Sequence, residues 1–310
     1  MKNTATKIKV IGVGGSGSNA VSRMAKCNIK GVELIAVNTD AQDLFRARAD
    51  LKLRIGKKIT EGLGAGMNPE VGRKSALESK QAIAETLKGA DMVFIACGLG
   101  GGTGTGAAPV IAEIAKEQGA LTLAIVTRPF SFEGQVRQKI AENGIKRLKE
   151  RVDTLVSISN DKLLATLSPN TSLLNAFWAC DDILRQAVQG ISDLIILPGI
   201  INVDFADVKA IMQNAGSALF GVGRAQGEGR AGKAALAAIN SPLLDVSVKG
   251  AKGVLFNVSG GKDISLSEID EAAKTITQEI NPEARVIFGA VQDEKLKKGE
   301  IKVTVIATGF

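Results

Sequence analysis

Short apolar runs alternate with amphipathic segments along roughly the first 170 residues. Helical spacing of apolar residues covers Pro69–Leu87 and Glu133–Arg151. The apolar runs are short enough to be buried strands, and they are Ile8–Val13, Val32–Val37, Met92–Cys97, Leu121–Val126 and Thr154–Ile158. This alternation predicts an α/β fold with a mostly parallel, Rossmann-like sheet covered on both faces, which binds ligands at the carboxyl ends of its strands.

The pattern changes in the second part of the chain. A long helix is predicted over Ser172–Leu197, because apolar residues recur there at steps of three or four, and Pro198 and Gly199 would end it. Further helices are predicted over Phe205–Leu219, Gly229–Ile239 and Ser265–Ile280. Strands are predicted over Gly253–Val258, Arg285–Val291 and Lys302–Thr308. We therefore expect a parallel domain over 1–171, a connecting helix over 172–198 and a smaller α+β domain with a mixed sheet over 199–310.

The composition excludes several classes of function. The 310 residues include no histidine, which rules out Ser-His triads and histidine zinc sites. Three cysteines lie far apart in the sequence (Cys27, Cys97 and Cys180), as in a reduced cytosolic protein. We expect no direct insertion into a membrane, because no secretory signal precedes the first strand and no apolar run reaches the ~18–20 residues that span a bilayer.

A formal net charge of +7 raises the possibility of nucleic-acid binding. The lysines and arginines are dispersed, however, and aromatic residues make up 4% of the chain with no tyrosine. Single-strand binders interleave basic residues with stacking rings, and this sequence has no such run. We expect no direct contact with nucleic acid.

Glycine-rich segments follow two of the predicted strands. Gly98–Gly106 contains six glycines and two threonines, Thr103 and Thr105, ahead of an amphipathic segment in which Pro109 suits a first helical turn. Glycines let backbone N–H groups approach a ligand, and a following helix N-terminus favours phosphate. The earlier segment Gly12–Ala20 contains a G-x-G-x-x-G pattern and is followed by Asp40. Alone it fits a nicotinamide-dependent oxidoreductase.

Three smaller patterns have both structural and functional interpretations. Glu133 and Arg137 stand four residues apart, which places them on one helix face either as a solvated ion pair or as ligand contacts. The loop Gly62–Pro69 is either a flexible connector or a ligand loop. Asp204 and Asp207 fit the N-cap and the first turn of the next helix.

Four segments together resemble the tubulin/FtsZ family of polymerising GTPases. They are GGGTGTG at 100–106, TRPFSFEG at 127–134, NDKLL at 160–164 and NVDFADV at 202–208. The resemblance extends from near residue 8 to Phe310, and the chain is identified on it as a member of the FtsZ branch.

The resemblance implies that residues 1–171 bind GTP or GDP. Asn19 and Asp181 would read guanine, whose N1 and N2 donors a carboxylate can accept, while Phe177 would stack on the base; Asp182 is a second choice. Ser16 and Ser18 stand where the family often has glycine, and Trp178 departs from the family pattern beside the base. The remaining nucleotide contacts implied are Gly14, Gly15, Ser16, Gly17, Ser18, Gly66, Gly101, Gly102, Thr103, Gly104, Thr105, Pro129, Glu133, Arg137 and Asn160.

The resemblance also implies that Asn202, Asp204 and Asp207 are catalytic. An uninterrupted helix from Asp181 to Leu197 would separate the base from this acidic loop by ~24 Å, whereas carboxylates that orient water act within ~3 Å. These acids would therefore act on the nucleotide of a neighbouring subunit in a head-to-tail filament. Mg²⁺ would be held mainly by phosphates and water, with no metal site built from side chains.

The resemblance implies a cytoplasmic protein that assembles with itself into the bacterial division ring at mid-cell. FtsZ proteins usually continue into a tail that binds division regulators and membrane anchors, and that tail is absent from this chain. Two alternatives remain open at this point. One is a tubulin-like plasmid-segregation filament, and the other is the nicotinamide-dependent oxidoreductase.

Overall fold

The computed structural model describes residues 6–197, 199–241, 248–293 and 296–310. The chain divides into two compact units, Met1–Gln189 and Gly190–Phe310. The division falls inside the long helix, between the two ends that the sequence predicted for it. Pro198, predicted to end that helix, lies outside the described residues.

The first unit is built on a parallel sheet. Its strands are β1 (Ile8–Val13), β2 (Val32–Asn38), β3 (Leu51–Arg54), β4 (Met92–Gly98), β5 (Leu121–Arg128) and β6 (Thr154–Ser159). They lie in the order β3-β2-β1-β4-β5-β6, and each neighbouring pair is parallel. The strands β1 and β4 are almost wholly buried, as expected for a sheet covered on both faces.

Helices connect these strands. They are α1 (Gly14–Lys26), α2 (Ala41–Arg46), α3 (Lys57–Thr60), α4 (Pro69–Glu78), α5 (Lys80–Leu87), α6 (Thr103–Glu117) and α7 (Gln135–Lys149). After β6 come α8 (Asn160–Leu164) and the long helix α9 (Leu173–Ile196), which extends past Gln189 into the second unit. A buried core of aliphatic side chains lies between the sheet and the helices on one of its faces, with Ile95, Ile111 and Val126 among its members.

The second unit combines helices with a mixed sheet. Its elements are α10 (Phe205–Met212), β7 (Gly216–Gln226), α11 (Arg230–Ile239), β8 (Gly253–Gly260), α12 (Leu266–Thr277), β9 (Arg285–Gln292) and β10 (Glu300–Thr308). The strand order is β7-β10-β8-β9, with β10 antiparallel to both of its neighbours and β8 parallel to β9. This confirms the predicted mixed sheet.

Several predicted boundaries are wrong, and local backbone geometry explains them. The helix predicted over Phe205–Leu219 ends at Met212, because Asn214 and Gly216 adopt left-handed conformations and β7 begins there. The helix predicted over Pro69–Leu87 is two helices that meet at Ser79. Strands β3 and β7 were not predicted.

A further boundary error concerns Pro109. The sequence suggested that this proline lies in a first helical turn, but α6 begins six residues earlier, at Thr103. Pro109 therefore lies inside the helix, where its missing N–H leaves the carbonyl of Thr105 without its usual intrahelical donor.

Candidate functional site

A cleft of about 770 Å³ lies in the first unit, and every residue that lines it falls between Val13 and Asp181. It is formed where β1, β2, β4 and β5 end at their carboxyl edges, together with the N-terminal turns of α1 and α6 and one turn of α9. This is the location at which a parallel α/β sheet binds ligands.

One end of the cleft is formed by backbone at two helix N-termini. Helix α1 begins at Gly14 directly after β1, and α6 begins at Thr103 after the loop that follows β4. The lining residues here that the sequence predicted are Gly14, Gly15, Ser16, Gly101, Gly102, Thr103 and Gly104. Two helix N-termini that converge on one space present unpaired N–H groups and partial positive charge, an arrangement that suits phosphate.

Not every residue of the two glycine segments lines the cleft. Gly17, Ser18 and Thr105 do not. A Cβ on Gly17 would collide with the carbonyl oxygen of Ala96, so this glycine permits close contact between α1 and the sheet. Thr105 is buried, and its hydroxyl accepts a hydrogen bond from the N–H of Gly100 at 2.9 Å. The glycine segments therefore combine ligand-facing and packing positions.

Thr103 has a partner within the protein. Its hydroxyl lies 2.6 Å from the hydroxyl of Thr39, which is fully buried behind the cleft wall. One of the two must donate to the other. If Thr39 donates, the proton of Thr103 remains available to an acceptor in the cleft, and a phosphate can only accept.

The middle of the cleft is lined by Pro129, Glu133, Arg137 and Asn160. Glu133 lies in a short 3-10 turn (Ser131–Glu133), and α7 begins only at Gln135, since Gly134 between them has φ 98°. The prediction that Glu133 and Arg137 share a helix is therefore wrong, although the two do form an ion pair.

Asn160 has an unsatisfied polar atom beside the cleft. It is 5% exposed, and its Oδ1 has no hydrogen-bond partner within the described part of the chain. Buried polar atoms are nearly always paired, so this oxygen fits a donor supplied by a ligand.

The other end of the cleft combines a carboxylate with an aromatic ring. Asp181 and Phe177 project from adjacent turns of α9, and Asn19 of α1 also lines this end. The ring of Phe177 meets that of Phe130 edge-on, with centroids 5.4 Å apart. Asp182, the second choice for the base, does not line the cleft, and its carboxylate binds Arg185 at 2.6 Å.

Asp181 carries an unusual charge environment. Burial raises the pKa of its carboxyl to about 6, while the charge and hydrogen bond of Arg23 act in the opposite direction. The Arg23 Nη2 lies 3.4 Å from Asp181 Oδ2. The sequence analysis did not single out Arg23, because nothing in the spacing from residue 23 to residue 181 indicates that the two meet.

The sequence analysis also missed a group of polar residues at the end of β2 and after it, apart from Asp40, which it had noted only for the oxidoreductase alternative. Asn38, Asp40, Gln42, Asp43 and Arg46 line the cleft. Asp40 caps α2 by accepting hydrogen bonds from the N–H groups of Gln42 and Asp43 at 2.9 Å. Burial and the neighbouring Asp40 raise the pKa of Asp43, which accepts a hydrogen bond from Asn38. Their position after the carboxyl end of a predicted strand was the available signal.

The glycine-rich loop ahead of α4 lies at the same cleft. Gly66, the predicted contact, lines it together with Leu63, Gly64, Ala65 and Met67. Gly66 has φ 53°, in the left-handed region.

The predicted catalytic residues lie in the second unit. Asp204 caps α10 by accepting a hydrogen bond from the N–H of Asp207 at 2.8 Å, and Asn202 accepts one from the N–H of Gly199 at 2.7 Å. All three side chains are exposed. Asn202 and Asp204 therefore help to shape this segment, whereas Asp207 presents its carboxylate to solvent from the first turn of α10.

Two structural features are absent from residues 6–197, 199–241, 248–293 and 296–310. Within them, no group of three or more cysteine, aspartate or glutamate side chains is arranged to hold a metal ion. No helix in the same ranges is both long and apolar enough to cross a bilayer.

Comparison with known proteins decides the family. The GTPase-domain model of the tubulin/FtsZ family matches residues 7–168, and the model of the FtsZ C-terminal domain matches residues 216–310. The chain belongs to the tubulin/FtsZ family. Its fold is the tubulin/FtsZ fold, and membership by family supports GTPase activity with binding of GTP and GDP.

Solved structures of FtsZ from M. jannaschii are similar over nearly the whole chain. An empty FtsZ dimer is 49% identical and covers 99% of this chain and 89% of its own, with a TM-score of 0.95. A tryptophan-to-tyrosine mutant of that FtsZ gives the same identity and TM-score, with 99% and 92% covered.

More distant structures show the fold alone. CetZ1 from Haloferax volcanii, a GDP-bound monomer, is 22% identical with a TM-score of 0.82, covering 98% of this chain and 94% of its own. CetZ2 from the same organism, a GTPγS-bound protofilament, is 23% identical with a TM-score of 0.81, covering 97% and 92%. The FtsZ match is stronger than the CetZ matches, and membership of the tubulin/FtsZ family leaves the oxidoreductase without support.

Proposed function

We propose that this protein binds and hydrolyses GTP and polymerises head-to-tail into protofilaments of a cell-division ring. The observation that carries the proposal is the cleft of the first unit. It has converging helix N-termini at one end and a carboxylate beside an aromatic ring at the other, which matches a phosphate chain joined to a guanine base.

The base end would select guanine. An ionised Asp181 can accept hydrogen bonds from the N1–H and N2–H groups of guanine, which adenine lacks. Asn19 lines the same end and would supply a further hydrogen bond, while Phe177 offers its ring for stacking. The unpaired oxygen of Asn160 would accept a hydrogen bond from the bound nucleotide.

The phosphate end would bind the di- or triphosphate through backbone. The N–H groups that begin α1 and α6 would donate to phosphate oxygens, and the hydroxyl of Thr103 would add one more donor. Gly66 and its loop would lie near the terminal phosphate. When bound, Mg²⁺ would neutralise charge on the phosphates, and it would be held mainly by their oxygens and by water.

Hydrolysis would use two subunits. The cleft residues belong to the first unit, and the acidic segment Asn202–Asp207 belongs to the second. Asp207, with its exposed carboxylate, would orient the attacking water on the nucleotide of the next subunit. Asp204 would assist, and Asn202 would hold the segment in shape through its bond to Gly199. A head-to-tail contact is heterologous and does not close, so it produces a filament.

Self-association has support from relatives, which are described as a dimer and as a protofilament. We place the protein in the cytoplasm, at mid-cell during division. Division regulators and membrane anchors would be its further partners.

The test is to mix the protein with GTP and Mg²⁺ and to follow light scattering and phosphate release together. Both should require GTP, and ATP should not replace it. Phosphate release per subunit should rise with protein concentration, because the active site forms on association. A rate per subunit that stays constant down to concentrations without filaments would show that hydrolysis needs only one chain.

A further inference from the structure

A second, smaller pocket of about 330 Å³ lies next to the base end of the cleft. Asn19, Phe177 and Asp181 line both spaces, so they form the wall between them. Arg23 and Trp178 line only the smaller pocket. Seen from the cleft, Arg23 therefore stands behind Asp181.

Arg23 contacts Asp181, which lines both spaces, and Trp178, which lines only the smaller pocket. Its Nη2 lies 3.4 Å from Asp181 Oδ2, and its guanidinium carbon lies 5.2 Å from the ring centroid of Trp178. The first distance is that of an ion pair, and the second lies within the range of a cation–π contact with an indole ring. The Asp181 side chain is only 10% exposed, so water does little to screen the charge of its partner.

We propose that Arg23 is a positioning residue that sets the base specificity of the cleft by keeping Asp181 ionised behind the base. This inference rests on the proposed function, since it assumes that Asp181 meets the base. An ionised carboxylate only accepts, which matches the two donors of guanine. A protonated carboxyl accepts at one oxygen and donates from the other, which matches the N6–H donor and the N1 acceptor of adenine. The charge on one residue therefore decides which purine is complementary.

The electrostatics of the wall agree with this role. Burial raises the pKa of Asp181 to about 6, and the charge and hydrogen bond of Arg23 oppose that rise. Without Arg23 the pKa of Asp181 would move further up, toward neutral pH. At neutral pH, Asp181 would then be a mixture of the ionised and the protonated form, and the site would present both hydrogen-bonding patterns.

Other ionisable groups near Asp181 do not substitute for Arg23. They are Asp182 and Cys180 on the same helix, Glu133 in the turn before α7, and Lys26 on α1 in the smaller pocket. Asp182 and Glu133 each pair with an arginine of their own, and burial raises the pKa of the Cys180 thiol to about 12. Of the two cations in the smaller pocket, Arg23 and Lys26, it is Arg23 that forms the ion pair with Asp181.

The experiment measures binding of GDP and of ADP by calorimetry from about pH 6 to about pH 8.5. The ratio of the two affinities is the readout, because protonation of the phosphates or of Asp43 at the other end affects both nucleotides. Wild-type protein is compared with Arg23→Met and Arg23→Lys. Lys26→Met is the matched control, since it removes a cation of the same pocket and helix that is not paired with Asp181.

Arg23→Met should lower the GDP-to-ADP affinity ratio about tenfold at pH 7 for each unit by which the pKa of Asp181 rises. The ratio should recover as the pH is raised, because the carboxyl ionises again. Arg23→Lys should restore most of it, and Lys26→Met should behave as wild type. An equal loss for GDP and ADP at every pH would show that Arg23 only supports the fold, and would overturn the proposal.

Two results keep this test separate from that of the proposed function. If the wild-type protein does not prefer GDP to ADP at pH 7, the proposed function fails. If it does, but Arg23→Met keeps the wild-type ratio throughout, only the role of Arg23 fails. Should Arg23→Met not fold, the wild-type ratio decides. It should fall about tenfold for each unit by which the pH is lowered from about 8.5 toward about 6, and a constant ratio over this range would contradict the proposal.

Discussion

The cleft of the first unit and the acidic segment of the second unit differ in how their polar groups are satisfied. In the cleft, helix N-termini and the Asn160 oxygen lack full pairing within the described residues and converge on one space. In the acidic segment, Asn202 and Asp204 are bound to local backbone, and Asp207 faces solvent. The cleft therefore has the polar groups of a ligand-binding site within one chain, whereas the Asp207 carboxylate of the acidic segment has solvent around it.

The largest effect should follow from removing that carboxylate. Asp207→Ala should retain GTP binding but lower hydrolysis by about 10²–10⁴-fold, because the group that orients water is lost. Asp43→Asn is the informative comparison, since Asp43 is an acid of the same chain that lines the cleft. Steady-state phosphate release and GTP binding are measured for both. Loss of hydrolysis in Asp43→Asn with normal turnover in Asp207→Ala would mean that the acid of the cleft, and not that of the second unit, orients the attacking water.

Mixing two inactive variants sharpens the same point. A variant with Asn19→Ala and Thr103→Val should bind GTP poorly but present intact acids, while Asp207→Ala binds GTP. Together they should regain part of the activity, and the gain should rise faster than linearly with total concentration. Co-sedimentation establishes that the two variants associate. Association without any regained hydrolysis would refute a site shared between chains.

The next largest effect should come from the base end. Asp181→Ala should weaken GTP binding by about 10–100-fold and reduce discrimination against ATP, because two donors of guanine lose a charged acceptor. Asp182→Ala is the control, as its carboxylate lies one residue away and does not line the cleft. Competition binding with GTP and ATP measures both. Unchanged selectivity in Asp181→Ala would move base recognition elsewhere.

A smaller effect is expected from single hydroxyls at the phosphate end. Thr103→Val should cost about 1–3 kcal/mol of nucleotide affinity, since a donor to phosphate is replaced by a methyl group. Thr105→Val should lower the melting temperature instead, because that hydroxyl is bound to the N–H of Gly100. Isothermal calorimetry and thermal unfolding separate the two. Equal nucleotide affinity in Thr103→Val and wild type would mean that this hydroxyl serves only its partner Thr39.

No effect on nucleotide affinity is expected from Glu268 in the second unit. Hydrogen bonding from Arg230, together with the N–H and hydroxyl of Ser265, lowers the pKa of Glu268 to about 2 although partial burial opposes the shift. Since the folded-state pKa lies below the usual 4.5, the stabilisation is present above that pH and is lost as the pH falls toward 2. Glu268→Gln should remove this acid dependence from urea unfolding and leave GDP binding unchanged. A change in GDP binding would contradict the expectation that Glu268 stabilises the fold and takes no part in nucleotide binding.

Much of the first unit could be predicted from the pattern of apolar residues. Five strands were predicted with their N-terminal residues correct and with C-terminal ends within two residues, because buried parallel strands are nearly continuous apolar runs. The prediction failed where a single residue with a left-handed backbone interrupts a helical pattern, at Gly134 and at Asn214. Strand β3 was missed because its sequence, LKLR, is half charged.

The sequence by itself determined the family, five strands of the first unit and the glycine-rich segments that line the cleft. It did so because glycine-rich loops and apolar runs are local patterns in the chain. Only the tertiary structure decided which glycines face the cleft and which permit close packing, as Gly14 and Gly17 illustrate. It also decided that Arg23 meets Asp181, 158 residues away. Such pairings depend on how the helices pack on the sheet, and no local pattern records that.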